Sequence, residues 1–364
     1  PNPSEFSPNL PKMFYSISKK VWGFMQLLKS LTFLFLPFSF LKQKKHIRAL
    51  LGSDLIISVG GHYFSAPQGG INEILRLYFT AYPLLLASRF KKPFVIYGQS
   101  VGPFKDLISQ KFIAHVFSKA SFIGVREQLS KEELIRCGVP PDQINIIPDL
   151  AFLIEPQISD NIKEIMSKYN LREKEFIAIT VRQWFQNNPI LYKKYIEDIT
   201  LVIKHFLEIG YKVAIVAHSL GPTLSEDDRI SSYDLLQQLG SFKQDQLVLI
   251  QEDLSPLELA SLYGNAKITT GTRFHSVIFS LISGTPVYAL SYFGPKAFGI
   301  MQMLGLEKFV SDVNSINPYS IIKDVEEILN NEHEVNLYIH EQVSQLKKTI
   351  YFYSKIILEK INER

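Results

Sequence analysis

Residues 266–290 read AKITTGTRFHSVIFSLISGTPVYAL, and the order of apolar and turn residues in this stretch decides the architecture. Ala266–Thr270 is a short run rich in β-branched residues, as a buried strand prefers. Gly271 and Thr272 interrupt it. Arg273–Ile282 then has the apolar spacing of a helix, closed by Gly284 and Pro286. Val287–Leu290 is a second short apolar run. Strand, helix and strand in so short a span make a βαβ unit with its two strands parallel.

The same alternation extends outward on both sides. Strands are predicted at Asp54–Val59, Pro93–Tyr97, Phe122–Val125, Ile144–Ile147, Phe176–Val181, Val213–Ala217 and Leu247–Ile250. Between them lie helical patterns at 72–90, 105–120, 130–137, 192–209 and 233–239. A further helix starts at Ser255-Pro256, with Pro at its first position. Two more close the chain at 319–331 and 333–361. Ser130 and Glu133 have capping-box spacing. A polar stretch, Gln157–Lys174, separates the two halves. The pattern predicts an α/β fold of two Rossmann-like domains facing a cleft: 1–160, 170–332, and a C-terminal helix at 333–364. In such sheets ligands bind at the carboxyl ends of the strands.

The chain has 364 residues, enough to bury a large core without disulfides or a structural metal. Its single cysteine, Cys137, excludes both an intrachain disulfide and a Cys-rich zinc site. Cys137 is expected to pack. The net charge of +4 is unevenly spread, since residues 1–50 alone carry +7 and the rest −3. A basic charge confined to an apolar segment argues against a nucleic-acid partner.

The sharp motifs each follow a strand. Gly60-Gly61-His62 allows close backbone approach to a ligand, or is an ordinary turn. Gln99 and Ser100 offer polar groups after the second strand, and Arg126-Glu127 follow the third. An isolated pair of this type is most often a solvated ion pair, but its position after a strand raises a substrate-binding reading for Arg126. Asp149 follows the fourth strand. Arg182 suits a carboxylate or phosphate through its fork of donors, or bonds loop carbonyls. His218, followed by Glu226-Asp227-Asp228, suits sugar hydroxyls, and no metal-site spacing is present. Gly271-Thr272-Arg273-Phe274-His275 carries the most. It sets a permanent cation and a titratable imidazole at a helix N-terminus, where amides favour an anion. Tyr292 and Lys296 follow the next strand. Neither a dinucleotide fingerprint nor a P-loop occurs.

Taken in order, DLIISVGGHYF (54–64), YGQSVGPF (97–104), VREQLS (125–130), IPDLAF (147–152), ITVRQ (179–183) and GTRFHSVIFSLISGTPVYALSY (271–292) resemble the polysaccharide pyruvyl transferase family. The resemblance covers roughly residues 45–310 and implies a GT-B-like architecture. It also implies transfer of the pyruvyl unit of phosphoenolpyruvate onto a sugar as a ketal, with phosphate released. No cofactor or metal is then required. Arg273, Arg182 and Lys296 would hold the donor's anions, with amides from Gly271 to His275. His275 would be the general acid, or would stabilise the departing phosphate. The acceptor would lie near Gly60–Phe64, Gln99 and Ser100. Two features depart from the family pattern. No opening strand with an N-x-G-D loop precedes residue 50, so the first domain is expected to lack that strand. His62 stands where the glycine turn often has a third glycine. Competing readings are a GT-B glycosyltransferase using a nucleotide sugar and a non-catalytic saccharide-binding protein.

Residues 21–41, VWGFMQLLKSLTFLFLPFSFL, approach the length of a membrane span. Lys29 lies mid-run, and no small-residue cleavage site of a secretory signal follows. An interfacial helix, a packed helix and a true span all fit. If family residues precede the chain, 12–48 lies within the first domain and an interfacial or acceptor-facing helix is favoured. The expectation is a cytoplasmic enzyme making peripheral contact with the inner membrane face, near a lipid-linked saccharide acceptor.

Overall fold

The computed structural model describes residues 45–185, 188–240, 245–292 and 296–362. Most of the basic apolar segment, including 21–41, lies outside the described residues. Among those described, no helix is long and apolar enough to cross a membrane.

The chain divides into two compact units. One holds the described part of Pro1–Val125, Lys131–Asn145 and the last residues from Ile357. The other holds Arg126–Ser130 and Ile146–Ile356. The division therefore falls at Asn145/Ile146 rather than after residue 160, and Arg126–Ser130 belong with the second unit.

In the first unit α1 (Lys45–Gly52) leads to β1 (Ile56–Val59), β2 (Phe64–Ala66), α2 (Ile71–Arg89), β3 (Phe94–Gln99), β4 (Val101–Phe104), α3 (Leu107–Phe117) and β5 (Phe122–Val125). After α4 (Gln128–Cys137), β6 (Ile144–Ile146) completes a four-stranded sheet in the order β1-β3-β5-β6. β2 and β4 pair in a separate two-stranded parallel sheet. The core is Phe64, Leu77, Ala81, Phe94, Ile96, Phe104, Ile113, Phe117 and Ile123, all buried. The Ser130–Glu133 capping box does not form. Ser130 Oγ donates to Glu127, and Glu133 Oε1 instead accepts from the Phe104 amide at 2.6 Å. The helix has already begun at Gln128, two residues before the expected cap.

The second unit runs α5 (Asp160–Lys168), β7 (Phe176–Thr180), α6 (Pro189–Glu208), β8 (Lys212–Val216), α7 (Asp228–Leu239), β9 (Leu247–Ile250) and α8 (Pro256–Asn265). It continues through β10 (Ile268–Gly271), α9 (Phe274–Ile282), β11 (Val287–Ser291), α10 (Lys296–Met303), β12 (Val310–Asp312), α11 (Pro318–Asn330) and α12 (Glu332–Asn362). Its six strands order as β12-β11-β10-β7-β8-β9, and each pairs in parallel with its neighbours. Counted from β7, this is the doubly wound order 3-2-1-4-5-6. Chain direction across the sheet reverses between β7 and β10, and the carboxyl ends of those two strands form the topological switch point. Ile177, Ile179, Val213, Ile215, Ile268 and Leu290 bury one core against Tyr195, Ile199, Ile203 and Phe206 of α6.

Candidate active site

Two loops leave the switch point, one after β7 and one after β10, and Thr180 ties them together. Its buried hydroxyl oxygen accepts from the amides of Thr272 at 2.9 Å and Arg273 at 3.3 Å. The carbonyl of Thr180 accepts from the Thr272 amide as well, at 3.3 Å. Two of the amides expected to cradle an anion are thus turned inward. Phe274, the first residue of α9, keeps an amide with no intrahelical acceptor. Gly271 is required by packing: a Cβ there would lie 2.7 Å from Ser276 Oγ.

Arg273 caps α9 from an extended conformation. Its Nε donates to both oxygens of Asp228, at 3.0 and 2.9 Å, and its Nη2 donates to Oδ1 at 2.5 Å and to the Glu226 carbonyl at 2.9 Å. Asp228 is fully buried and also accepts from the Ser219 amide at 3.0 Å. Burial raises the Asp228 carboxyl above its usual range, and the Arg273 guanidinium opposes the rise. Arg273 is therefore a fixed and largely neutralised cation. Asp228 escaped the sequence reading as its partner, because 45 residues separate the two and nothing local links them.

His275 is exposed, in the first turn of α9. Its ring lies 5.9 Å from that of Phe279, and the His218 ring lies 5.8 Å from the same phenylalanine. His218 stacks on Tyr263 at 5.9 Å, and its Nδ1 shares a 2.9 Å hydrogen bond with the Tyr263 hydroxyl. Burial pushes the His218 imidazole down to about 3, helped by the charges of His275 and Arg273. At neutral pH His218 is a neutral hydrogen-bonding group beside the exposed imidazole.

Arg182 follows β7. Its guanidinium lies 4.2 Å from the Tyr292 ring centre and 5.5 Å from that of Trp184. Its Nε is buried with no hydrogen-bond partner among the described residues. The Tyr195 hydroxyl is 3.5 Å from the Arg182 amide, which donates to it, and 3.2 Å from Thr272 Oγ1. The two loops therefore meet through one buried phenol. Arg182 also lines a cavity of about 620 Å³, together with Gln183, Trp184, Phe185, Asn188, Leu191, Ser225, Glu226 and Asn314. The sequence reading found Arg182 but not the aromatic wall beside it.

Arg126 and Glu127 are not the solvated pair expected of them, since both are buried. Arg126 pairs with buried Asp149 at 3.0 Å and lies 5.0 Å over the ring of Phe274. Asp149 Oδ1 in turn accepts from the Ala151 amide at 2.9 Å. This pair supports the start of α9 from below. The Lys296 side chain lies outside the described residues.

The remaining predicted residues sit in the first unit. Gly60 and Gly61 have positive φ, and a Cβ on Gly61 would collide with the Tyr63 ring. His62 Nε2 makes a short hydrogen bond with the Gly102 carbonyl, and buried Gln99 accepts from Ser58 Oγ at 3.3 Å. The Ser100 amide donates to the Gly61 carbonyl at 3.1 Å. Here the two glycine-rich motifs bond to each other. Among the described residues, no three His, Cys, Asp or Glu side chains gather as metal ligands would.

A doubly wound six-stranded unit, a second parallel unit and polar loops at a switch point define a GT-B-like α/β protein. Solved structures agree on this fold. Anabaena HepE, solved with UDP and glucose, superposes with a TM-score of 0.55 at 11% identity, covering 88% of this chain and 80% of its own. A Rickettsia africae glycosyltransferase gives 0.54 at 12%, covering 90% and 82%. UDP-GlcNAc 2-epimerase from Neisseria meningitidis gives 0.53 at 16%, covering 87% and 80%. The particular family comes from sequence. The polysaccharide pyruvyl transferase profile matches residues 2–294, and the chain belongs to that family. The amylovoran biosynthesis protein AmsJ of Erwinia amylovora is 30% identical over 300 residues, which are 80% of this chain and 69% of that protein.

Proposed function

We propose that the chain transfers the pyruvyl unit of phosphoenolpyruvate onto two hydroxyls of a sugar in a cell-surface polysaccharide or its lipid-linked precursor. The observation carrying this reading is Arg182, a cation at the switch point whose buried Nε has no partner among the described residues and whose guanidinium lies against the rings of Tyr292 and Trp184. It is suited to take the carboxylate of the donor. The phosphate then lies toward the start of α9, within reach of the Phe274 amide and His275.

The chemistry balances with these groups. His275 protonates C3 of the enol, and C2 becomes electrophilic. One sugar hydroxyl adds to C2, the C2–O bond to phosphate breaks, and the second hydroxyl closes the ketal. Of the two hydroxyl protons, one replaces the proton given to C3 and the other leaves with phosphate. Arg273, its charge largely offset by Asp228, is held in one position at the start of α9 and needs no reorganisation as charge shifts on the phosphate. The basic segment 12–48 is proposed to hold the enzyme at an anionic membrane surface near a lipid-linked acceptor.

Mass spectrometry of oligosaccharides incubated with enzyme and 13C-labelled phosphoenolpyruvate tests the reaction. One labelled pyruvyl unit per acceptor and one phosphate are expected. Consumption of a nucleotide sugar with phosphoenolpyruvate untouched would sink the proposal. His275→Ala should abolish transfer while donor binding persists. Arg182→Met should weaken donor binding tenfold or more, as the loss of about 1.5–3 kcal/mol of charge-assisted hydrogen bonding implies. For the membrane contact, deletion of 21–41 should end co-sedimentation with anionic vesicles, and unchanged binding would refute it.

A further inference from the structure

We infer that the cavity beside Arg182 seats the acceptor's pyranose ring against Trp184, so that the second unit carries acceptor as well as donor. This rests on the pyruvyl-transfer reading above, and it relocates the acceptor from the first unit's glycine loops. Those loops are occupied with one another: the Ser100 amide bonds Gly61, and His62 bonds Gly102.

The cavity wall has the chemistry of a sugar site. A pyranose has an apolar C–H face and a rim of hydroxyls that donate and accept. The apolar face needs a flat, fixed ring. Trp184 supplies one, half-buried and braced by Tyr292 at 5.1 Å and Phe185 at 6.2 Å. The rim needs neutral amides and a carboxylate, which Gln183, Asn188, Asn314 and Glu226 provide. Their free capacity is defined. Asn188 Oδ1 already accepts from the Leu191 amide at 3.2 Å, so its NH2 remains. Asn314 Nδ2 donates to Asp312 at 2.6 Å, so its oxygen remains.

The cavity also abuts the donor side. Glu226 lines it, with one carboxylate oxygen accepting from Thr223 Oγ1 at 2.9 Å, while the Glu226 carbonyl accepts from Arg273. Its volume of about 620 Å³ exceeds what a three-carbon phosphoester fills and lies within the range of small-molecule sites. Among the described residues the lining offers one arginine and one carboxylate, a poor match for the diphosphate of a nucleotide.

The sequence has two tryptophans, Trp22 and Trp184, so Trp22→Phe in the full chain makes emission report Trp184 alone. The probes are the methyl glycosides of galactose, glucose and mannose, titrated with phosphoenolpyruvate saturating. A saturable change with at least one glycoside is expected. Gln183→Ala should weaken that glycoside about tenfold, while calorimetric binding of phosphoenolpyruvate is unchanged. If phosphoenolpyruvate binds and Trp184 responds to no glycoside, the acceptor site is refuted and the donor reading stands. A response to UDP that no glycoside displaces also refutes it. If phosphoenolpyruvate itself fails to bind, the pyruvyl-transfer reading falls instead.

Discussion

Asp228 and Arg273 behave as one group. The carboxylate is fully buried, the arginine nearly so, and three hydrogen bonds join them. Removing one member of such a pair leaves a buried charge without compensation, at a cost of about 3–5 kcal/mol. Arg273→Met should therefore destabilise the second unit by that order, since burial already raises the Asp228 carboxyl and only the Ser219 amide and the charge of Arg182 would then oppose it. Adding Asp228→Asn removes the stranded charge, so the double variant should recover part of the loss. Denaturant unfolding of the two single variants and the double measures the coupling, and simple additivity would show that the two act independently. The functional consequence is separable. Both singles should bind phosphoenolpyruvate more weakly than wild type, and the stabilised double should still bind weakly.

At the scale of elements, what the sequence made legible depended on length and on how local the signal was. Nine of the twelve strands among the described residues are legible as short apolar runs, and Arg126, Asp149, Arg182 and His218 are found just beyond them, whereas Gln99 and Gly271 end strands rather than follow them. β2, β4 and β12 are not legible as strands, because Ser, Gly, Pro or Asp interrupts each short run, and because β2 and β4 pair with each other outside the main sheets while β12 is an edge strand. α5 was hidden in a polar stretch because Ile162 and Ile165 are its only buried side chains. The site shows the same division. Arg182 and the Gly271–His275 turn were legible as chemistry after strands, whereas Asp228, Thr180 and Tyr195 act through contacts between loops far apart in sequence. Where local chemistry suffices, the reading was direct. The Ser255-Pro256 start of α8 forms a full capping box, with Ser255 Oγ accepting from the Glu258 amide and Glu258 from the Ser255 amide. The Glu258 carboxylate also accepts from Ser159, the cap of α5, at 3.1 Å and from Asn161 at 2.8 Å, so one side chain fastens two helix starts. Ser255→Ala should cost about 1 kcal/mol. Glu258→Ala should cost more, because it also releases the start of α5. Thermal unfolding of both variants checks the order.

At the scale of the whole molecule, each unit has its own sheet and its own buried core, so unfolding is expected as two transitions rather than one. They can be told apart by pH, because His218 lies only in the second unit. Its imidazole falls from an ordinary 6.5 to about 3 on folding, mainly through burial. A group with a depressed folded value binds protons more readily when unfolded. Its contribution is therefore undiminished above about 6.5 and is lost progressively as the pH falls from there toward about 3. Other acidic groups titrate in the lower part of that window, so the diagnostic is a difference between wild type and His218→Gln, which can keep a hydrogen bond to Tyr263 but takes up no proton. Calorimetry between pH 7 and 5 should show the second unit's transition dropping faster in wild type than in the variant. The first unit's transition should move alike in both. Equal slopes for the second unit in the two proteins would mean that His218 is as readily protonated folded as unfolded, and its assignment as the neutral neighbour of His275 would go with it.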